Sequence, residues 1–280
     1  MKKNIPYFFT TFILLMLSFS LPAQIDTCIS TVKKHQVQSK HLNEVRDYWV
    51  SLPLRYDTSK SYPVIYVLDA EWRMELIANI VYDLGGNQKI PKHIVVGIPH
   101  VEMEYQRGID LTFSHSRMEY DGDEVDSTYY HTRNSGGGEQ FYNYLNEELI
   151  NDVNQSYATD GNNILIGHSY GGYFGAYILG RKSKFNAFQI YDPSIWFGDG
   201  EAITAIKKQL THDKKLNVFI SFQPIPQFHS DKIRALIDTL SKYPNIKLGF
   251  IEYPKETHNS LFLPSFLEGI RFLYSEWEND

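Results

Sequence analysis

The segment Gly167-His168-Ser169-Tyr170-Gly171-Gly172 concentrates residue types that can do chemistry. A Gly-x-Ser-x-Gly string arises by chance in many chains, so its neighbours decide its meaning. Ahead of it, Asn162-Asn-Ile-Leu-Ile-Gly167 reads as a buried strand; behind it, Gly172-Tyr-Phe-Gly-Ala-Tyr-Ile-Leu179 reads as a helix with small residues in its first turn. Strand, serine, helix is a nucleophile elbow. The serine takes a strained turn that lifts its hydroxyl above the sheet, and Gly167 and Gly171 are expected to be small because side chains there would meet the neighbouring strand and helix. The helix N-terminus adds partial positive charge and unpaired N–H groups, including that of Tyr170, suited to an oxyanion. The competing reading is a glycine-rich turn whose serine only caps a helix.

A serine hydroxyl needs a base within hydrogen-bond reach. Lys247 to Tyr253 reads as the last strand, and Glu256-Thr257-His258-Asn259-Ser260 follows it ahead of a C-terminal helix, so His258 is the expected base. His100, His212 and His229 are its rivals, each expected on a surface loop, and His168 stands beside the serine with its side chain turned away. The second oxyanion donor is expected from the loop Leu68-Asp69-Ala70-Glu71-Trp72, as the backbone N–H of Ala70 or Glu71, with Asp69 available as a helix cap. Three accounts of the acid stay open: Asp192, which ranks first, at the end of the strand Ala187–Tyr191; Asp231; or a Ser-His dyad helped by a backbone carbonyl or Glu256. Asp192 and Asp231 each have a plainer reading as a cap. This chemistry calls for no cofactor and no metal.

These residues need elements to position them. Short runs rich in branched and aromatic residues (64–68, 93–98, 163–166, 187–191, 216–222 and 247–253) read as buried strands. Phe141, Leu145, Leu149 and Val153 recur every four residues behind Gly136-Gly137-Gly138 and predict a helix; further helices are expected over 72–83, 170–181, 230–242 and 265–276. Strand and helix alternating this often mean a mostly parallel sheet with helices on both faces. Residues 46–52 and 62–68 flank a turn-rich stretch and suggest an antiparallel edge before the parallel part. No linker or repeat divides the chain, which reads as one domain over 45–280 preceded by an N-terminal segment, 24–44. Residues 99–135 interrupt the alternation: polar, acidic and tyrosine-rich, they read as a pocket-forming cap or a surface loop. The acids Asp121, Asp123, Glu124 and Asp126 lack the ligand spacing of a calcium loop and read as solvated charge.

Composition narrows the rest. With 280 residues, 42% hydrophobic and 21% charged, the chain can bury a sizeable core, which excludes disordered and fibrous classes. A net charge of −6 with no basic stretch argues against nucleic acid or an anionic membrane surface as partner. The lone Cys28 excludes an intrachain disulfide and a thiolate metal cluster. Lys2 and Lys3, an apolar run from Tyr7 to Leu21 and a small residue before Gln24 have the layout of a secretory signal, so residues 1–23 are expected to be cleaved and the mature protein to be periplasmic or secreted.

The stretches Tyr62-Pro63-Val-Ile-Tyr-Val-Leu68-Asp69, Ile94–Ile98, Arg107-Gly-Ile-Asp110-Leu111-Thr112, the elbow, Asp192-Pro193-Ser194-Ile195-Trp196 and Thr257-His258-Asn259-Ser260 resemble one family. It is the esterase family of the α/β-hydrolase superfamily that includes esterase D-like enzymes and the siderophore trilactone esterases. The resemblance runs from about residue 45 to the C-terminus. It implies an α/β-hydrolase fold with an inserted cap-like loop, with Ser169 and His258 as nucleophile and base. Many members carry the acid just after the penultimate strand, where this chain reads Gln223-Pro-Ile-Pro-Gln227 and departs from the pattern. The expected function is a serine esterase acting on a small-molecule ester through an acyl-enzyme. The alternatives are a siderophore trilactone esterase, with Arg107, Trp72 and Trp196 available to an anionic aromatic ligand, and a non-catalytic binding protein on a hydrolase scaffold. Arg107 has a second reading, as the partner of Asp110 within the loop.

Overall fold

Branched and aromatic runs form the strands of one sheet in the computed structural model, which describes residues 30–101, 105–211 and 213–278. The expected signal segment, residues 1–23, and Cys28 lie outside the described residues, as does His212. In chain order the elements are β1 (Val32–Ser39), β2 (Glu44–Ser51), β3 (Tyr62–Leu68), α1 (Ala70–Gly86), β4 (Ile94–Ile98), α2 (Gln106–Leu111) and α3 (Gly138–Asn143). A π-helical turn, Tyr144–Leu149, carries α3 into α4 (Ile150–Ser156). Then follow β5 (Thr159–His168), α5 (Tyr170–Ile178), β6 (Ala187–Tyr191), α6 (Glu201–Gln209), β7 (Leu216–Phe222), α7 (Gln227–Leu240), β8 (Ile246–Glu252) and α8 (Phe262–Leu273).

The sheet order is β1-β2-β4-β3-β5-β6-β7-β8, with β1, β2 and β4 joined antiparallel and every later pairing parallel. This is a mostly parallel α/β-hydrolase sheet. The antiparallel edge is present, but 46–52 and 62–68 are not neighbours: β2 lies between β1 and β4, whereas β3 lies between β4 and β5. Burial explains the placement. β3 hides side chains on both faces and belongs in the middle of the sheet, while β1 is largely exposed and suits an edge. Val32–Ser39, within the segment set apart from the domain above, thus forms part of the sheet.

Alternation along each strand supplies two cores. Val64, Tyr66 and Leu68 of β3 face α3, α4, α5 and the helices beyond, whereas Ile65 and Val67 face α1 and α8. Phe141, Leu145, Leu149 and Val153 are all fully buried, as their spacing predicts, although the π turn widens the helix between them. Helix α6 lies outside the helical spans predicted above, and it makes the crossover that parallel β6 and β7 require. In the 99–135 loop, α2 and an isolated bridge between Met118 and Glu124 give local order.

Candidate active site

Three chain reversals at the carboxyl ends of β3, β5 and β6 build the site, and each is made by a non-glycine residue with positive φ: Asp69 at 55°, Ser169 at 60° and Asp192 at 41°. Such backbones are held only where their surroundings over-determine them. At Ser169, with ψ −120°, the chain passes from strand into α5, whose first turn is closed by the Tyr173 N–H donating to the Ser169 carbonyl at 2.9 Å. A Cβ on Gly167 would stand 2.2 Å from the Gly171 carbonyl oxygen, so the elbow tolerates only glycine there. The second tight position is Gly172, 2.9 Å from Pro193 Cβ, rather than Gly171, whose nearest neighbours are at ordinary contact distance. The reason is that Gly171 faces the yielding side chain of Leu68, whereas Gly172 packs on the reversal after β6.

His258 follows β8, and its Nδ1 stands 2.6 Å from Asp192 Oδ2. Of the three acid candidates Asp192 is the one in contact with His258: Asp231 is exposed and paired with Arg234, and Glu256 accepts from Ser260 Oγ. Asp192 is fully buried, and its Oδ1 accepts two more hydrogen bonds, from the Gln223 N–H at 2.9 Å and His229 Nε2 at 3.0 Å. Burial alone would favour the neutral acid, but these contacts hold its carboxyl well below the usual carboxylate range. His168 donates Nε2–H to the His258 carbonyl at 2.7 Å, its ring 4.3 Å from that of His258. Burial and the neighbouring imidazole push His168 down to about 3, so it stays neutral beside His258.

Ser169, Ser194, Trp196, Tyr120, Gln223, His229 and His258 line a cavity of about 300 Å³. Ser169 Oγ lies 3.5 Å from Ser194 Oγ, and the Ser194 N–H donates to the Ser169 carbonyl at 3.1 Å. A larger cleft of about 800 Å³, lined by Asn186, Asn217 and Lys247, opens at the amino ends of the strands. It lies away from the strand ends where open parallel sheets build their sites. The 99–135 loop covers the serine side: Tyr120 lines the cavity and the Tyr130 hydroxyl meets that of Tyr170 at 2.8 Å. Its acids close their own turns, Asp121 on the Asp123 N–H and Asp126 on Thr128. Among the described residues no group of three or more His, Cys, Asp or Glu is disposed to hold a metal ion.

On the other side of Ser169, Arg107 grips Asp69 through Nε at 2.6 Å and Nη2 at 3.0 Å, and so does not pair with Asp110. Asp110 instead takes both Arg46 Nη atoms at 2.7 Å and His100 Nδ1 at 2.8 Å, while His100 Nε2 stands 3.3 Å from Asp69. Asp69 is therefore an ion-pair partner, with no side-chain cap bond to α1. The Arg107 guanidinium also lies 5.5 Å from the Tyr170 ring and 5.9 Å from that of Trp72. Trp72 is 61% exposed outside the cavity, whereas Trp196 is buried in its wall. Ala70 and Glu71 open α1, where backbone N–H groups have no intrahelical acceptor. The Glu71 carboxylate turns inward to accept the His100 N–H at 2.5 Å, and burial raises it above its ordinary range.

Two of the rival histidines are not on surface loops. His100 is buried between Asp69 and Asp110, and His229 is buried on α7. His229, Ile233, Leu236, Ile237 and Leu240 follow a helical stripe, and that spacing would have placed His229 on the buried face had α7 been started at Gln227. Ser194 lies in the Asp192–Trp196 stretch and Tyr120 in the tyrosine-rich loop, but neither is singled out by its local pattern, and the fold brings both to the cavity.

The chain belongs to the family described as Putative esterase, whose model matches residues 39–187. It is thus a hydrolase of the esterase class with an α/β-hydrolase fold. It is similar to the ferri-bacillibactin esterase BesA of Bacillus subtilis (strain 168), with 25% identity over 261 residues, 84% of this chain and 87% of that protein. Among solved structures, an IroE-like serine hydrolase from Shewanella oneidensis superposes with a TM-score of 0.79 at 26% identity, covering 89% of this chain and 82% of that one. The BES protein from Bacillus cereus shares the fold, with a TM-score of 0.73 at 23% identity over 86% of this chain and 95% of its own. Among the described residues, no helix is long and apolar enough to cross a membrane.

Proposed function

We propose that this chain is an exported serine esterase that cleaves a carboxylic ester through an acyl-enzyme. Ser169 Oγ attacks the ester carbonyl while His258 accepts its proton, and Asp192 orients the imidazole and balances its positive charge. The oxyanion is received by the N–H groups of Tyr170 and of Ala70 or Glu71. His258 returns the proton to the departing alkoxide, which leaves as the alcohol. Water then attacks the acyl-enzyme by the same proton route, regenerating Ser169 and freeing the acid. The observation that carries this reading is the 2.6 Å contact from His258 Nδ1 to Asp192, which leaves Nε2 for the cavity that Ser169 also lines.

A fluorophosphonate probe should label the wild-type protein, and Ser169→Ala should abolish labelling while the fold survives; labelling that persists in the variant refutes the assignment. His258→Ala should lower turnover by several orders of magnitude. Export rests on residues 1–23, and mass spectrometry of the mature protein should find its N-terminus at or near Gln24; soluble cytoplasmic protein retaining Met1 would overturn it.

A narrower substrate reading, siderophore trilactone esterase, is favoured by the relative named as a ferri-bacillibactin esterase and by the exposed Trp72 that packs on Arg107 outside the cavity. Assaying the mature protein on aryl esters of graded acyl length alongside iron-free and iron-loaded trilactone siderophores separates the two. Faster cleavage of the trilactones supports the narrower reading, and cleavage of aryl esters alone removes it.

A further inference from the structure

Asp192 is held by more than the base it is proposed to orient. Its Oδ2 faces His258, and its Oδ1 takes the Gln223 N–H and His229 Nε2. A carboxylate only accepts, so His229 carries its hydrogen on Nε2. His229 Nδ1 is buried with no hydrogen-bond partner. The ring is therefore anchored at one point, Asp192, at a desolvation cost that an apolar residue on this buried stripe of α7 would not carry.

The loop after β7, Gln223-Pro-Ile-Pro-Gln227, holds no carboxylate. What it and the start of α7 bring to the site is a pair of donors. Rotation of a carboxylate about its last torsion is soft, and two donors on one oxygen remove that freedom. Resting on the serine-esterase reading above, we infer that His229 is a positioning residue of this site: with the Gln223 N–H it fixes the Asp192 carboxylate so that Oδ2 meets His258 Nδ1, and it draws charge onto Oδ1. Loss of the His229 donor frees the carboxylate to turn and leaves it a stronger acceptor toward the His258 proton.

The other titratable groups around this pair are few. Tyr120 of the 99–135 loop lines the same cavity, and the His168 ring of β5 lies tilted against that of His258, with Arg73 of α1 acting on His168. On α7 itself Asp231 pairs with Arg234 and Lys232 with Asp199, at the exposed side. Substituting His229 leaves all of these in place.

The test uses full-length mature protein, an aryl ester and two variants. His229→Leu removes the donor, and His229→Gln keeps an amide N–H to replace it. The Leu variant should lose about tenfold to a hundredfold in kcat, a general-catalysis-sized effect, with KM within about twofold. The acidic limb of its kcat/KM profile should move to higher pH, because His258 keeps its proton longer. The Gln variant should recover kcat to within a few-fold and return the limb. Should His229→Leu fail to fold, nitrogen-15 spectra of histidine-labelled wild-type protein still decide: His229 should show a protonated Nε2 and an unprotonated Nδ1. Equal kcat and unmoved pH limbs in both variants, equal losses in both that track the folded fraction, or the opposite tautomer in the spectra would each overturn the inference. Wild-type protein that cleaves no ester and takes no fluorophosphonate brings down the serine reading and this one with it, whereas active wild-type protein with indifferent variants removes only the role of His229.

Discussion

Two buried carboxylate centres flank Ser169, and their partners differ in kind. Asp192 sits between two imidazoles and a backbone N–H, all partners able to donate without carrying a fixed charge. Asp69 and Asp110 sit in a chain, Arg46, Asp110, His100, Asp69, Arg107, that ends in a guanidinium on either side. Guanidinium does not give up its proton in a protein, so both ends of this chain hold geometry only, and its imidazole, His100, is locked between two carboxylates. It ties β2, the strand ends of β3 and β4, and α2 into one frame behind the elbow, with Arg107 Nη2 3.4 Å from the His168 carbonyl. The lesson is that the same residue type, buried to the same degree, meets neutral donors at Asp192, as the proposed triad needs, and fixed cations at Asp69 and Asp110.

Substitutions can break that contrast. Asp192→Asn should reduce ester turnover at least about a hundredfold, and as much as about ten-thousandfold if the imidazole is left in the wrong tautomer, with only a few degrees lost in Tm. Steady-state rates and melting curves on the same preparation decide it, and unchanged turnover would move the site to a Ser-His dyad. Arg46→Met should do the reverse. It strips the bidentate partner from a buried carboxylate, at a cost of about 3 to 5 kcal/mol, and should lower Tm by roughly 10 °C while folded protein keeps kcat within a few-fold. A large kcat loss at full occupancy of the folded state would mean that the frame and the site are not separable.

The pH dependence of stability sharpens the comparison further. Burial alone would depress His100, but Asp110 and Asp69 raise it to about 9, above its ordinary value of 6.5. A folded-state value above the unfolded one contributes stability that is fully present below about 6.5 and is lost as pH rises through about 9. The Tm of the wild-type protein should therefore fall by several degrees between those limits, and His100→Gln should flatten that slope. Asp192 has the opposite sign: held below its ordinary range, it contributes stability above about pH 4 that is lost toward lower pH. The smallest effect is expected at Asp231, whose exposed pairing with Arg234 is of a kind worth little. Asp231→Asn should leave turnover within a few-fold and Tm within a degree or two; a hundredfold loss would place the acid after β7.

Much of this was legible in the sequence because local patterns carried it. Runs such as Val64–Leu68 and Leu216–Phe222, separated by helical spacing, specify a parallel sheet, since each strand hides both faces and each crossover needs a helix. The elbow was readable because strand, Gly167, Ser169 and the small residues of α5 are contiguous in the chain. His258 was placed by its position after the last strand. What local pattern could not carry was pairing between distant segments: β2 beside β4 rather than β3, Arg107 with Asp69 rather than Asp110, and Asp192 rather than Asp231 facing His258. His229 shows the limit most clearly, since whether a histidine near a helix start is solvated or buried against a carboxylate depends on which way that helix packs. Hydrophobic periodicity is fixed by neighbours three or four residues away and so is written in the chain itself. The partners of a charged group are fixed by which strand ends come together, and only the folded sheet, with its β1-β2-β4-β3-β5-β6-β7-β8 order, brings Asp192, His229 and His258 to one point.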